Sequence, residues 1–150
     1  CAVNQQTFFY SSNFSVALIV FFSINRMLAT LMNQLPDYDA TIKEIHHIHK
    51  LDAPSGTAIT LANDLIGKVG RKKQWELDQA SAKDVLKITA VRENEVPGTH
   101  IITWDSPVDR IEIMHEAKSR KGFALGAMLA AEFIKDKKGI YSMEDMLSLQ

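Results

Sequence analysis

The sequence predicts an α+β fold, with a mixed sheet of about four strands and helices on one face. Three observations predict it. Residues 41–47 alternate as in a strand. Apolar residues then recur at helical spacing in 59–69, and three strand-like runs follow at 86–93, 100–105 and 110–116. With 46% hydrophobic and 23% charged residues, the 150-residue chain has the composition of one globular domain.

The first two predicted elements are a strand and a long helix. The aromatic run Thr7–Tyr10 ends at polar residues, which is typical of a strand that enters a loop. Asn13 or Ser15 can cap the helix that follows, which we expect to run from 14 to 35 because Pro36 forbids its continuation. Since its first three turns are apolar all round, we expect them to be buried on every side.

The second strand and helix flank a polar loop. Alternation along 41–47 gives the strand two faces, Ile42, Glu44 and His46 on one and Lys43, Ile45 and His47 on the other. The sequence LDAPSG (51–56) is turn chemistry, and Ser55 is the natural N-cap of a helix that ends near Gly70. Adjacent histidines therefore diverge, and a helix begins shortly after them.

The remainder of the chain is predicted to contain a connection, three strands and two helices. Residues 71–84 have no steady period and predict a solvated connection. The three runs after it predict an antiparallel meander. A helix over 121–139 carries small residues that permit close backbone approach, and Ser142 with Asp145 predicts a capping pair for a last short helix.

Charge and composition exclude several classes of protein. Lys plus Arg number 17 against 18 Asp plus Glu, so no overall basic field favours nucleic acid or a membrane surface. The apolar run FSVALIVFF (14–22) is too short to span a bilayer. Cys1, the single cysteine, cannot form an internal disulfide, which favours the cytoplasm. Because the chain opens without methionine, we expect it to be a piece of a longer polypeptide.

The segment HHIHKLDAPSGTA (46–58) combines three histidines, a lysine and the start of a helix, and is the main candidate for a functional site. A metal site is disfavoured because His46 and His47 diverge and no cysteine or well-spaced carboxylate completes a tetrahedron. Asp52 and His115 remain candidate outside ligands, but we predict no metal. A phosphate loop is also disfavoured, since no glycine-rich phosphate motif is present.

An organic anion fits the segment better. Ser55, Gly56 and Thr57 open a helix, where free N–H groups and the dipole favour a carboxylate. Lys50 adds a positive charge, and the histidines can donate hydrogen bonds or a proton near neutral pH. Each residue alone could be structural, a cap or a solvated cation. Together they suit an acidic small molecule that must be protonated.

These residues resemble the signature segment of the dihydrodipicolinate reductase family. The resemblance extends to SSNFSV (11–16), VPGTH (96–100) and IEIMHEAKSRKGFALGA (111–127), and covers nearly the whole chain. The connection over 71–84 is its least similar part.

The resemblance implies reduction of the cyclic dicarboxylate 4-hydroxy-tetrahydrodipicolinate to tetrahydrodipicolinate by NADH or NADPH. It makes His46 the acid or base and Lys50 the proton donor or carboxylate clamp. The expected carboxylate-binding residues are His47, Ser55, Gly56 and Thr57. The expected cofactor-binding residues, at the nicotinamide end, are Ser11, Ser12, Asn13 and Phe14, with Arg120 and Phe123 nearby.

The resemblance also implies a domain organisation. Residues 1–13 would end a dinucleotide-binding domain, 14–121 would form the substrate-binding and oligomerisation domain, and 122–150 would return to the cofactor domain. The family's glycine-rich turn lies outside this sequence, and its members are homotetramers joined through their sheets. The alternative is a stand-alone dicarboxylate- or metal-binding module without catalysis.

Overall fold

A computed structural model of the chain describes residues 6–149, which form seven strands and four helices. In chain order these are β1 (Thr7–Tyr10), α1 (Val16–Met32), β2 (Asp39–His46), α2 (Gly56–Lys68), β3 (Gln74–Leu77), β4 (Val85–Arg92), β5 (Thr99–Asp105), β6 (Arg110–Glu116), α3 (Lys121–Phe133), β7 (Gly139–Ser142) and α4 (Met143–Leu147). They fall into two compact units, one formed by residues 24–118 and the other by the remaining described residues. Cys1 and the first residues of the predicted segment 1–13 lie outside the described residues.

The unit 24–118 contains a five-stranded mixed sheet in the order β3-β4-β2-β5-β6. Strands β3, β4 and β2 are parallel, whereas β5 and β6 are antiparallel to their neighbours. The α+β prediction with a mixed sheet is therefore confirmed. The fifth strand is β3, which lies within the predicted connection 71–84 and pairs with β4, Trp75 opposite Leu86.

The predicted meander of the last three strands is wrong in one place. Strand β4 pairs with β3 and β2, not with β5. The reason is the burial of β2, whose alternate residues Ala40, Ile42, Glu44 and His46 are all buried. A strand this buried takes the centre of the sheet, with β4 on one side and β5 on the other.

One face of this sheet forms a core with α2. Ile42 lies between Ile88 of β4 and Ile102 of β5, and all three are buried. Helix α2 packs against β2 and β4 through the buried residues Ala58, Leu61, Ala62 and Leu65. On the opposite face Thr41 and Lys43 are exposed. The core thus fixes α2 across the strand that ends at His46.

The other unit pairs β1 with β7 in parallel. Helix α3 ends at Phe133 rather than at 139, because the charged run 135–138 offers no apolar face and Gly139, at φ +129°, begins β7. The close approach predicted for α3 is confirmed. A Cβ at Gly126 would lie 1.6 Å from the carbonyl oxygen of Phe14. The capping box of Ser142 and Asp145 is also present at α4.

Helix α1 differs from its prediction in length and burial. It begins at Val16, where Ser15 Oγ accepts from the N–H of Leu18, and it ends at Met32. Val20 and Ile24 are 38% and 43% exposed, so the expected burial on every side is wrong. Within residues 6–149, no helix combines the length and apolar character needed to cross a membrane.

Candidate functional site

The site lies where β2 ends, at His46. Alternation along β2 places His46 on the buried face with Glu44, and the register with β5 sets Glu44 opposite His100. The rings of His46 and His100 are 5.1 Å apart at a steep angle. The sheet thus brings one carboxylate and two imidazoles together on its otherwise apolar face.

Glu44 is fully buried and its carboxylate has several partners. Both of its oxygens lie 3.1 Å from the N–H of Ser55, which donates to them. Oε1 accepts from Arg92 Nη2 at 3.1 Å. Oε2 lies 3.4 Å from His46 Nδ1 and 3.8 Å from His100 Nε2. Because an isolated buried carboxylate is costly, the guanidinium of Arg92 is what makes this one tolerable.

The two buried histidines are kept largely neutral. Burial lowers the pKa of His46, although the negative charge of Glu44 opposes that shift. Burial also lowers the pKa of His100, to about 3, with smaller contributions from His46 and His115. Near neutral pH, His100 is therefore uncharged.

The beginning of α2 forms the second part of the site. Ser55 is the N-cap and is buried, and its Oγ accepts from the N–H of Ala58 at 3.2 Å and lies 3.3 Å from His100 Nε2. The predicted cap is confirmed. Gly56 and Thr57 occupy the first turn, whose N–H groups have no partner within the helix. A Cβ at Gly56 would meet nothing within 4 Å, so this end of α2 is open.

Lys50 forms the third part, in the loop between β2 and α2. Its ammonium lies 2.7 and 2.9 Å from the two carboxylate oxygens of Asp52, and this hydrogen bond lowers the pKa of Asp52. Arg92 donates to the carbonyls of Lys50 at 3.3 Å and Asp52 at 2.6 Å. The loop is thus held against β4, and the ammonium of Lys50 is already paired with Asp52.

His47 and His49 follow His46 in the chain. The His47 and His49 rings lie 6.1 Å apart, and His49 Nε2 lies 3.3 Å from an exposed carboxylate oxygen of Glu95. The His47 carbonyl accepts from the N–H of Lys50 at 3.1 Å, so His47 borders the Lys50 loop, while His46 belongs to the buried cluster.

The residues predicted to bind the cofactor belong to the other unit. Ser11 Oγ donates to the carbonyl of Asn13 at 2.5 Å, and Asn13 Oδ1 accepts from the N–H of Ser15 at 2.8 Å. Ser12 lies within this turn, and the Phe14 ring is 5.8 Å from that of Phe9. One compact turn before α1 therefore contains all four residues predicted from SSNF.

The two weaker cofactor predictions lie at the start of α3. Arg120 is exposed and directly precedes the helix, and its side chain makes no capping hydrogen bond. Phe123 lies in the first turn and is 37% exposed.

A metal could be held by a set of residues that the motif alone does not reveal. Among the described residues, Glu44, His46 and His100 offer ligand atoms within 4.8 Å of one another. The carboxylate already accepts from Ser55 and Arg92, and a guanidinium beside a bound cation would repel it. The prediction of no metal stays a prediction.

Sequence reasoning missed three residues of the site, namely Glu44, Arg92 and His100. A signal existed for the first, because Glu44 alternates with Ile42 and Ala40 on the buried face of β2. Arg92 and His100 come from β4 and β5, and only the strand order brings them to β2.

Comparison with known proteins gives consistent results. Residues 17–147 match the family model described as dihydrodipicolinate reductase, C-terminus. The chain is 53% identical over 148 residues to 4-hydroxy-tetrahydrodipicolinate reductase of Christiangramia forsetii, covering 99% of this chain and 62% of that protein. The reductase of Methanosarcina barkeri is 42% identical, with 93% of this chain and 53% of that protein covered. The chain thus spans between half and two thirds of these relatives.

A solved structure shares the fold. A dipicolinate-bound dihydrodipicolinate reductase from Paenisporosarcina sp. TG-14 matches with a TM-score of 0.74 at 23% identity, over 95% of this chain and 56% of that one. The family model, which matches well over half of the chain, confirms the resemblance first seen in the histidine-rich segment. The chain belongs to the dihydrodipicolinate reductase family, as its C-terminal domain.

Proposed function

We propose that this chain is the substrate-binding part of a longer NAD(P)H-dependent oxidoreductase. The reaction is reduction of 4-hydroxy-tetrahydrodipicolinate to tetrahydrodipicolinate in lysine biosynthesis by the diaminopimelate pathway. One observation carries the proposal: the imidazole of His46, the ammonium of Lys50 and the start of α2 all lie at or just after the end of β2. The names of the relatives support it.

The two carboxylates of the substrate need two kinds of partner. The N–H groups of Gly56 and Thr57, with the Thr57 hydroxyl, suit one carboxylate at the helix start. Lys50, with His47 beside its loop, suits the other. The Ser55 hydroxyl is engaged in capping, so Ser55 acts by fixing the first turn on which the carboxylate rests.

The reaction also needs a proton. Reduction adds a hydride and the 4-hydroxyl departs as water, so one proton must come from the protein or solvent. His46 is the proposed acid or base, because an imidazole can both give and take a proton, and the charge of Glu44 opposes the lowering of its pKa by burial. Lys50 is the second candidate donor, since its ammonium has hydrogens to give and lies in the loop that follows.

The nicotinamide cofactor, when bound, supplies the hydride. In this chain Ser11, Ser12, Asn13, Phe14, Arg120 and Phe123 are the proposed contacts with its nicotinamide end. None of the seven glycines falls in a dinucleotide-binding motif, so these residues fit only one end of the cofactor. We propose that a preceding segment, of which 1–13 is the end, binds the remainder, as NADH or NADPH.

We further propose a cytoplasmic homotetramer joined through the open face of the sheet. Thr41 and Lys43 are exposed there, and Met114 of β6 on the same face is 60% exposed. Pairing of such faces would cover them and the adjacent edge strands. Light scattering of this chain at micromolar concentration tests the assembly, and a monomer of about the chain's 16.8 kDa would contradict it.

Steady-state kinetics of the full-length protein test the activity. His46→Asn should lower kcat at least 100-fold with little change in KM, as expected for loss of general acid–base catalysis. Lys50→Ala should raise KM if it is a clamp and lower kcat if it is the donor. Full activity in both variants would contradict the site, and absence of NAD(P)H oxidation by the wild type would favour the binding module.

A further inference from the structure

Glu44 is the least expected residue on the buried face of the sheet. It has no exposed surface, and its neighbours on the strand, Ile42 and His46, are buried with it. Burying a carboxylate is costly unless its partners compensate the charge and the hydrogen bonds. The contacts of Glu44 are therefore the best indication of its role.

The contacts of Glu44 connect three segments. Through the Ser55 N–H it holds the start of α2, and through Arg92 it is linked to the carbonyls of Lys50 and Asp52. Its Oε2 lies 3.4 Å from Nδ1 of His46, close enough for an electrostatic interaction although the two atoms do not form a hydrogen bond of good geometry. One carboxylate thus touches or adjoins the imidazole, the ammonium loop and the anion-binding helix start.

We propose that Glu44 is a positioning residue for the reductase reaction, a role that rests on the function proposed above. Its carboxylate faces Nδ1 of His46 and favours the tautomer that carries hydrogen there. Nε2 is then the atom that gives a proton to the substrate or takes one from it. After donation from Nε2 the ring is neutral and keeps its hydrogen on Nδ1, so proton and charge balance.

The surroundings of Nε2 agree with this role. A Cβ on Gly98 would lie 3.1 Å from Nε2, so the glycine leaves space beside that atom. A carboxylate behind the far nitrogen of a catalytic imidazole fixes both its orientation and its tautomer, and stabilises its charged form. Glu44 adds a further constraint, since the same carboxylate sets the position of Ser55.

The charge of Glu44 also gives the proposal a pH signature. Five groups act on His46: Glu44, Lys50, Asp52, Arg92 and His100. Burial lowers the pKa of His46 and the Glu44 charge opposes this. Removing that charge while Arg92 stays should lower the pKa of His46 further, so the limb of the kcat profile that belongs to His46 should move to lower pH.

The test uses the full-length reductase. Glu44→Gln keeps the shape and should reduce kcat by about 10- to 100-fold, with KM within about threefold and the His46 limb at lower pH. Glu44→Asp keeps the charge, so its limb should stay closer to that of the wild type. Glu76→Gln on β3, whose carboxylate contacts Ser81, is the matched control and should change none of these.

A second measurement needs no Glu44 variant, and so survives a failure of Glu44→Gln to fold. The ¹⁵N shifts of the His46 ring in the wild-type protein, assigned with His46→Asn, should show the neutral tautomer with hydrogen on Nδ1. A neutral ring with hydrogen on Nε2, or a Glu44→Gln variant with wild-type kcat and pH profile, would overturn the proposal. So would tight stoichiometric zinc binding through Glu44, since a metal would then occupy the face of the ring assigned to hydrogen.

Failure of the proposed function looks different. If the wild type does not oxidise NAD(P)H with this substrate, or if His46→Asn is fully active, the function itself is wrong. If the wild type is active and His46→Asn is impaired while Glu44→Gln behaves as wild type, only the role of Glu44 is wrong.

Discussion

The two ends of β2 each hold a buried charge, and they hold it differently. At the beginning, the buried ammonium of Lys72 donates to the carbonyls of Lys83 at 2.9 Å and Val85 at 2.8 Å, and pairs with Asp39 at 2.7 Å. Its three hydrogens therefore have three acceptors. The Lys72 ammonium is therefore fully used within the fold.

At the other end, the buried groups are only partly satisfied. Glu44 has Arg92 and the Ser55 N–H, but Nδ1 of His46 and Nδ1 of His100 are buried without a hydrogen bond of good geometry among the described residues. Such a cluster is a poor way to stabilise a fold, because each unsatisfied polar group costs free energy. One buried charge is thus fully compensated within the sheet, whereas the other lies among polar groups that are only partly satisfied, which is consistent with the catalytic role proposed for them.

Removing the charge at the structural end should have the largest effect on stability. Lys72→Met leaves two carbonyls without their donor, and should lower the free energy of unfolding by about 3 kcal/mol. Urea unfolding measures this. Lys73→Met, at the exposed neighbouring lysine, is the control and should change stability by less than about 0.5 kcal/mol. A similar small change for Lys72→Met would remove the contrast between the two ends.

Low pH should destabilise the folded protein through His100, at the end of β2 that carries the candidate site. Because the pKa of His100 is about 3 in the folded chain, the unfolded chain alone binds its proton between roughly pH 6 and 3. The contribution of His100 to the free energy of unfolding is therefore fully present above about pH 6.5. It falls by about 1.4 kcal/mol for each unit by which the pH drops below that value. Urea unfolding at pH 6 and 4.5 should show a loss about 2 kcal/mol larger in the wild type than in His100→Asn. Equal losses would contradict the assignment.

Substituting the two serine N-caps, Ser55 and Ser142, should distinguish an effect on stability from an effect on ligand binding. Ser55→Ala and Ser142→Ala each remove the cap of a helix and should each cost about 1 kcal/mol. Only Ser55→Ala should also weaken the binding of pyridine-2,6-dicarboxylate, a planar mimic of the substrate, because only α2 opens toward the proposed carboxylate site. Calorimetric titration of both variants checks this, and equal affinities would contradict the role of the α2 start.

The smallest expected effects are those of alanine substitutions at two glycines, one beside His46 and one in α2. Gly98→Ala places a methyl group 3.1 Å from Nε2 of His46 at φ +154°, and should cost about 1 kcal/mol and slow the full-length enzyme. Gly67→Ala in α2 meets open space and should add about 0.5 kcal/mol without altering kcat. Thermal unfolding and kinetics measure both. An unchanged kcat in Gly98→Ala would show that Nε2 does not need this space.

Local patterns predicted much of this molecule. Alternation gave the face shared by Ile42, Glu44 and His46, and the serine before Gly56 predicted the beginning of α2. Strand order was less accessible, because pairing between β2 and β4 joins residues about 46 positions apart and leaves no local periodicity. The short strand β3 was missed for the same reason, since pairing with β4 defines it.

Only those residues of the candidate site that lie in one continuous segment could be predicted from the sequence. His46, Lys50 and Ser55 lie within ten positions and carry a motif, whereas Arg92 and His100 are isolated residues in other strands. Glu44 could have been found as a charge on an apolar face. Its partners could not, because they depend on the three-dimensional neighbours of β2.

We propose that the end of β2 and the start of α2 form one pocket for a dicarboxylate. The most direct test titrates the metal-free chain with pyridine-2,6-dicarboxylate while the histidine ring protons are followed by NMR, with Lys50→Ala as control. Removing metal matters because this compound also chelates zinc. We expect saturable shifts of the His46 and His47 ring protons that are lost in Lys50→Ala. Unshifted rings, in this chain and in the full-length protein alike, would contradict it.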